Sequence, residues 1–443
     1  MTSSCFQHCG LSVRIGILVL VVLSMAASPI LAEQLTLSEG LRIVTEENNI
    51  VKIKQQDEKS AHTDTLVARS KLLPSINATY DQTFLKNQPG LRAGDLVAWS
   101  SERNFYTYQL AIQQIIYDFG NTISLYKSAK LLEDTKRLDT LKTMNDIALE
   151  FCRLYFDVLE SDKMIAIAEK EVDSLASHAQ VARNLLKGGV ITKNDLLEAE
   201  VQLADGRQKL LNAQNTKRIN EARVNNALNR PLTLPVGVAE VSGPRAGLPP
   251  YEGAAEKLES QRTELKIVDA TIEAFKYEER AMKSEYLPKF ILQGQYDYTE
   301  NKYLVDESNV GITVQMNLNL WSGGSTKAEV QKMRIAQSRL RIERKKLTDD
   351  IGLEAKKYYL DAVNAMEAIK VAKGAISQAE ENLRITKLKY VEGTGIARDV
   401  TDAIALRTLS ETNYWRAVYE YCRAEAGYLH ALGYNLKEEY GRL

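Results

Sequence analysis

The stretch "NVGITVQMNLNLWSGG", Asn309 to Gly324, alternates strictly: Val310, Ile312, Val314, Met316, Leu318 and Leu320 are apolar, while Gly311, Thr313, Gln315, Asn317 and Asn319 between them are small or polar. A period of two is the mark of a β-strand with two different faces. Three other stretches follow the same rule. Ile76, Ala78, Tyr80 and Phe84 alternate with Asn77, Thr79, Asp81 and Thr83; Tyr106, Tyr108, Leu110 and Ile112 alternate with Thr107, Gln109, Ala111 and Gln113; Phe290, Leu292, Tyr296 and Tyr298 alternate with Ile291, Gln293, Gln295 and Asp297. The expected strands cover residues 74–85, 104–117, 289–300 and 308–321. Each is longer than the usual globular strand of about 5 to 6 residues and suits the roughly 9 to 11 that a tilted strand needs to cross a bilayer. An apolar or aromatic face toward lipid and a polar face toward a lumen fit a transmembrane barrel. The competing reading is one edge of a soluble sandwich, and length and polarity agreeing in all four stretches favour the barrel.

Four strands cannot close a barrel, and an open edge in lipid strands backbone groups at several kcal/mol each. Chains must therefore combine. Two chains would make about eight strands, which side chains fill, whereas three make about twelve and leave a lumen, so a homotrimer is the smallest porous solution.

Composition excludes other classes. Lys+Arg number 57 against Asp+Glu 58, which leaves no global charge for nucleic acid. The histidines His8, His62, His178 and His430 are scattered, with no HExxH, CxxC pair or glycine-rich phosphate loop, so no cofactor or metal is expected. No nucleophile, base and orienting group can be assembled, which argues against an enzyme.

The N-terminus reads as an export address: Arg14, then an apolar run from Ile15 to Ala27, then Ser28 to Ala32 with a helix breaker and a small residue for cleavage. At roughly 13 residues the run is short of the ~20 that span a bilayer as a helix. Residues 1–32 are thus expected to be removed, Cys5 and Cys9 with them. Cys152 and Cys422 remain, and helix geometry places them at heights differing by about 12 Å, beyond the roughly 7 Å that a disulfide tolerates between α-carbons. Both are expected as free thiols.

The rest of the chain reads as helix and repeats itself. Leu73-Pro74 recurs as Leu287-Pro288, Phe119-Gly120 as Ser322-Gly323, Gly189 as Gly393, and Ala227-Leu228 as Ala431-Leu432. The first pair is set wider than the others, and the excess falls where Lys86 to Arg103 make a long loop and Asn301 to Glu307 a short one; loops absorb such differences. Two halves are expected, 33–229 and 251–443, joined by a proline-rich connector over 230–250. Each half holds one long helix, about 123–187 and 325–390, with apolar residues at three and four spacing; the first carries Met144, Ile147, Phe151, Leu154, Val158, Ile165, Ala168, Val172, Leu175 and Ala179. Such helices are on the order of 100 Å long, which suits a coiled-coil tube, although periodicity alone leaves a solid bundle open. Shorter helices are expected over Leu35 to Leu72 and Asn194 to Asn229.

With these features together, the chain resembles TolC-like outer-membrane efflux proteins over its whole mature length. The resemblance rests on the Leu-Pro entries to the strands, the exits "IIYDFG" and "LNLWSGG" into the long helices, and the two glycine-centred turns. It implies a trimer with a twelve-stranded barrel in the outer membrane and an α-helical barrel reaching into the periplasm. Such a duct exports passively, driven by an inner-membrane pump of RND, ABC or MFS type through a periplasmic adaptor, in tripartite efflux or type I secretion. The alternative is a periplasmic coiled-coil spacer that does not conduct.

"YVEGTGIARDVTDA" resembles the family's inner-coil turn, with Tyr390, Glu392-Gly393-Thr394, Asp399 and Asp402 at matching positions; Glu392 replaces the usual Val, and Gly395 stands where the family has Arg. "LLKGGVITKNDLLEA" resembles the outer-coil turn, with Gly188-Gly189-Val190 and Asp195. The resemblance implies that these tips dock the adaptor, that Asp399 and Asp402 line the periplasmic aperture, and that Tyr390, Asp195 and, in place of the missing Arg, Arg398 lock it closed. Plain physics offers simpler roles as well: glycine is the common helix C-cap, and aspartates three apart complement a helix N-terminus.

Overall fold

The computed structural model describes residues 34–241, 247–252 and 259–441. The expected leader and parts of the 230–250 connector lie outside them. The chain is mainly helical with antiparallel strands, and contact density divides it into two compact units.

One unit comprises residues 43–150, 245–367 and 420–443. It contains β1 (Ser75–Phe84), β4 (Asn104–Tyr117), β5 (Lys289–Thr299) and β6 (Ser308–Asn317), hydrogen-bonded in the order β1-β4-β5-β6 with every pair antiparallel. Register keeps like with like across the sheet. One row runs Ile76, Ile112, Gly294, Ile312; the next runs Ala78, Leu110, Tyr296, Val310; on the opposite face Thr79, Gln109, Asp297 and Asn309 stand in line. The apolar face is open, with Ile312 79% exposed. It includes a cluster of Tyr80, Tyr106, Tyr108 and Tyr298 with ring centroids 5.1–6.3 Å apart. The outer strands β1 and β6 each leave one hydrogen-bonding edge unpaired within this sheet.

Three local features differ from the sequence reading. The alternation continues through Leu318 and Leu320, but pairing stops at Asn317 opposite Lys289, because Pro288 before it has no N–H for the ladder. The long loop 86–103 holds a hairpin, β2 (Gly90–Ala93) and β3 (Leu96–Trp99), turned through Gly94 at φ +63°. The expected helix from Leu35 to Leu72 is two, α1 (Leu37–Glu47) and α2 (Asn49–Ser70), because the Asn48 side chain accepts from Ile50 N at 2.8 Å and restarts the helix as an N-cap.

The long helices are α3 (Asn121–Lys187) and α6 (Ser325–Val391), and each is followed by a shorter one, α4 (Lys193–Ala227) and α7 (Ala397–Ala431). Entry to α3 is set by Asp118, whose carboxylate accepts from Gly120 N at 3.1 Å and Thr122 N at 2.8 Å. That occupies donors a helix start otherwise leaves bare. Before β5 runs α5 (Thr263–Ser284), and α8 (Leu436–Gly441) follows α7.

Within this unit α6 and α7 touch backbone to ring: a Cβ added at Gly427 would fall 2.5 Å from Tyr358 Cε1. Gly427→Val is expected to destabilise the protein by about 1–3 kcal/mol, the usual cost of overpacking, and Tyr358→Leu to restore part of that loss, both read from thermal unfolding. Close by, Asp146 accepts from Lys142 Nζ at 2.7 Å and contacts His430 Nε2 at 2.9 Å. Burial opposes its ionisation, but those two partners outweigh it and hold its carboxyl down to about 2.

The second unit comprises residues up to 42, 151–244 and 368–419. Here Leu35 bridges to Val238, and the buried Tyr155 hydroxyl donates to the Leu35 carbonyl at 3.0 Å and the Ala239 carbonyl at 2.6 Å, so the connector is docked at this point. Along α3 the expected stripe is buried at Phe151, Val158, Ala168, Leu175 and Ala179, yet Cys152, Tyr155, Phe156 and Leu159 beside it are buried too. A helix with neighbours on two sides buries a face wider than one stripe. Cys152 and Cys422, one in each unit, are both free and buried, and burial raises both thiols, Cys422 to about 12.

Candidate functional site: the helix tips

Both tips lie in the second unit and close in the same way. At the outer turn Gly189 takes φ +73°, Val190 N donates to Leu185 O at 2.9 Å and Gly189 N to Leu186 O at 3.0 Å. At the inner turn Gly393 takes φ +74°, Thr394 N donates to Lys389 O at 2.9 Å and Gly393 N to Tyr390 O at 3.2 Å. These are two Schellman motifs, matched position for position, in which a left-handed residue after the helix satisfies its last carbonyls. The capping role of Gly189 and Gly393 is therefore real. Gly188, Gly189, Val190, Glu392, Gly393 and Thr394 are nevertheless all exposed, leaving both tips free to meet a partner.

The exits from the turns differ. Helix α4 opens with a capping box: Thr192 N donates to Asp195 Oδ2 at 2.9 Å, and Asp195 N to Thr192 Oγ1 at 3.4 Å. Asp195 is thus engaged within its own turn. At the inner turn Gly395 N donates to Lys389 O at 3.0 Å. A Cβ at Gly395 would meet Lys389 Cβ and Tyr390 N, each at 3.2 Å. The chain passes so close to the end of α6 that the arginine of the related turn has no easy place here.

Asp399 and Asp402 stand on the exposed side of the first turns of α7, while Ala397, Val400, Ala403 and Ile404 pack inward with Leu175, Leu383 and Tyr390. Among the described residues neither carboxylate, nor the exposed Arg398, has an ion-pair partner. Tyr390 is 3% exposed, and its hydroxyl is buried without a hydrogen-bond partner. Burial raises that phenol, and the negative charge of Asp195 raises it further. The fold thus brings Tyr390 and Asp195 near one another and leaves Arg398 on the surface.

His178 is the residue that sequence reasoning passed over. Its ring lies 5.0 Å from that of Tyr390, centroid to centroid. The available signal was its place in α3 between Leu175 and Ala179, on the buried stripe.

The sheet thus has one open apolar face, and the two longest helices run 67 residues each and end in paired turns. A family model described as outer membrane efflux protein matches residues 44–230. Among solved structures the chain is similar to the transmembrane channel protein CusC, with TM-score 0.78 and 13% identity over 90% of this chain and 92% of that one. It is also similar to the outer membrane protein VceC of Vibrio cholerae, with TM-score 0.78 and 13% identity over 90% and 96%. The Neisseria gonorrhoeae outer membrane channel MtrE gives TM-score 0.74 and 16% identity over 90% and 89%. No curated protein matches in sequence.

Proposed function

We propose that the chain is the outer-membrane exit duct of a tripartite efflux or type I secretion system, a passive conduit driven by an inner-membrane pump through a periplasmic adaptor. The observation that carries this reading is the sheet: the rows that end in Ile312 and Val310 are free of polar side chains, apart from the Tyr296 hydroxyl, across all four strands, and both edges are unpaired. In lipid those edges must be closed. We place β6 of one copy against β1 of the next, which makes a homotrimer with a twelve-stranded barrel, each copy built from two related halves, 33–229 and 251–443. A non-conducting spacer has no use for an apolar sheet face. Protein extracted from the outer membrane in mild detergent is expected to have the mass of a trimer, whereas a monomer or an inner-membrane location would overturn the reading.

The exposed tips, Gly188 to Val190 and Glu392 to Thr394, are the proposed adaptor contacts. In the trimer Asp399 and Asp402 form two rings of three carboxylates that favour cations and exclude anions. Under a salt gradient, replacing both with alanine is expected to reduce cation preference and weaken block by multivalent cations, while the trimer persists because neither belongs to a strand. An unchanged reversal potential would reduce both to helix-start residues.

A further inference from the structure

We propose that His178 is a pH-responsive latch at the tip: while neutral it packs α3 against Tyr390 at the end of α6, and its protonation loosens the turn that leads from Tyr390 to Asp399 and Asp402. The imidazole is 4% exposed, and its Nε2 has no hydrogen-bond partner. The Ala397 backbone, where α7 begins, favours its charged form, but the packing contact of the ring is with Tyr390, 5.0 Å away centroid to centroid. Charged and titratable groups of three other elements bear on it, directly or through a neighbour. From α6 come Tyr390, whose hydroxyl is also unpartnered, and the Lys387 ammonium; from α7 comes Arg407, whose charge acts on Lys387; and Asp195 of α4 acts on Tyr390 but is held by Thr192. The charge nearest the imidazole in effect is therefore positive.

Protonation would add a second buried N–H with no acceptor and a charge beside Lys387 among Leu175, Leu383 and Ala397, a cost the packed turn avoids only by opening to water. Burial first, and then Lys387, hold this histidine below the ordinary value of 6.5, against the weaker opposing pull of the Ala397 backbone. A base with a lowered value in the packed state leaves that state undisturbed above 6.5 and weakens it as pH falls below. Mild acid should thus free the tip before the chain unfolds. The consequence for conduction rests on the duct reading; the latch does not.

The test is amide hydrogen exchange over residues 388–400 in the detergent-purified full chain, corrected for intrinsic rates, between about pH 7.5 and about pH 5.5, either side of the free histidine value. Wild type is expected to exchange several-fold faster in acid, and His178→Phe, which keeps a ring but cannot titrate, to show no such gain. An equal gain in both, or none in wild type, would overturn the latch. Should the variant fail to fold, the imidazole of His178 can be titrated by NMR in wild type: a value below that of free histidine supports the latch, and one equal to it refutes it. Protein that shows the exchange response yet passes no current in bilayers supports the latch and counts against the duct.

Discussion

Arginine in place of Ile312 is expected to cut the yield of trimer in the outer membrane sharply, while arginine at Thr313, one residue along the same strand, is tolerated. Ile312 stands in the row with Ile76, Ile112 and Gly294 on the open apolar face; Thr313 pairs with Gln293 on the other. If the apolar face meets hydrocarbon, a charge there costs about 2–4 kcal/mol near the bilayer midplane, whereas a charge in the lumen changes conductance and not assembly. Heat-resistant trimer in outer-membrane fractions measures both. Equal loss at the two positions would mean that the faces are not divided between lipid and lumen.

Removing Arg262 is the second large effect, and it acts on stability alone. The guanidinium is 5% exposed; it donates to the His430 and Ala431 carbonyls at 3.2 and 3.1 Å, ending α7, and to both oxygens of Glu264 at 3.0 and 2.9 Å. Arg262→Ala leaves the carboxylate and the carbonyls partly buried without their donor and takes a cation from a helix C-terminus. Breaking one side of such a pair costs about 3–5 kcal/mol, because the abandoned group is what is expensive. In chemical unfolding, Arg262→Ala is expected to lose that much and Arg262→Ala with Glu264→Leu distinctly less. A single-variant loss within about 0.5 kcal/mol, the range of ordinary surface changes, would show the cluster to be surface-like.

Strand identity was open to sequence reading because each face is written in residue type: Val310 to Met316 could alternate in no other element so consistently. What alternation cannot show is where a strand stops finding a partner, which Pro288 decides in another strand, or that β4 sits between β1 and β5. The β2–β3 hairpin escaped notice because four-residue strands are too short for a period to emerge. At the tips the glycines were readable, since a left-handed C-cap has one favoured residue. The reason for Gly395 was not, because its Cβ would press on Lys389 and Tyr390 only once the turn has closed. His178 was hidden for the same cause: its partners come from α6 and α7, separated from it in sequence by most of the second half of the chain.

Current through planar bilayers decides most directly whether this chain builds a pore. Purified trimer added to one side is expected to give stepwise, cation-selective increments of uniform size. Trimer that inserts into the bilayer and gives no increments across the accessible pH and voltage range would contradict the duct and leave the chain a coiled-coil spacer.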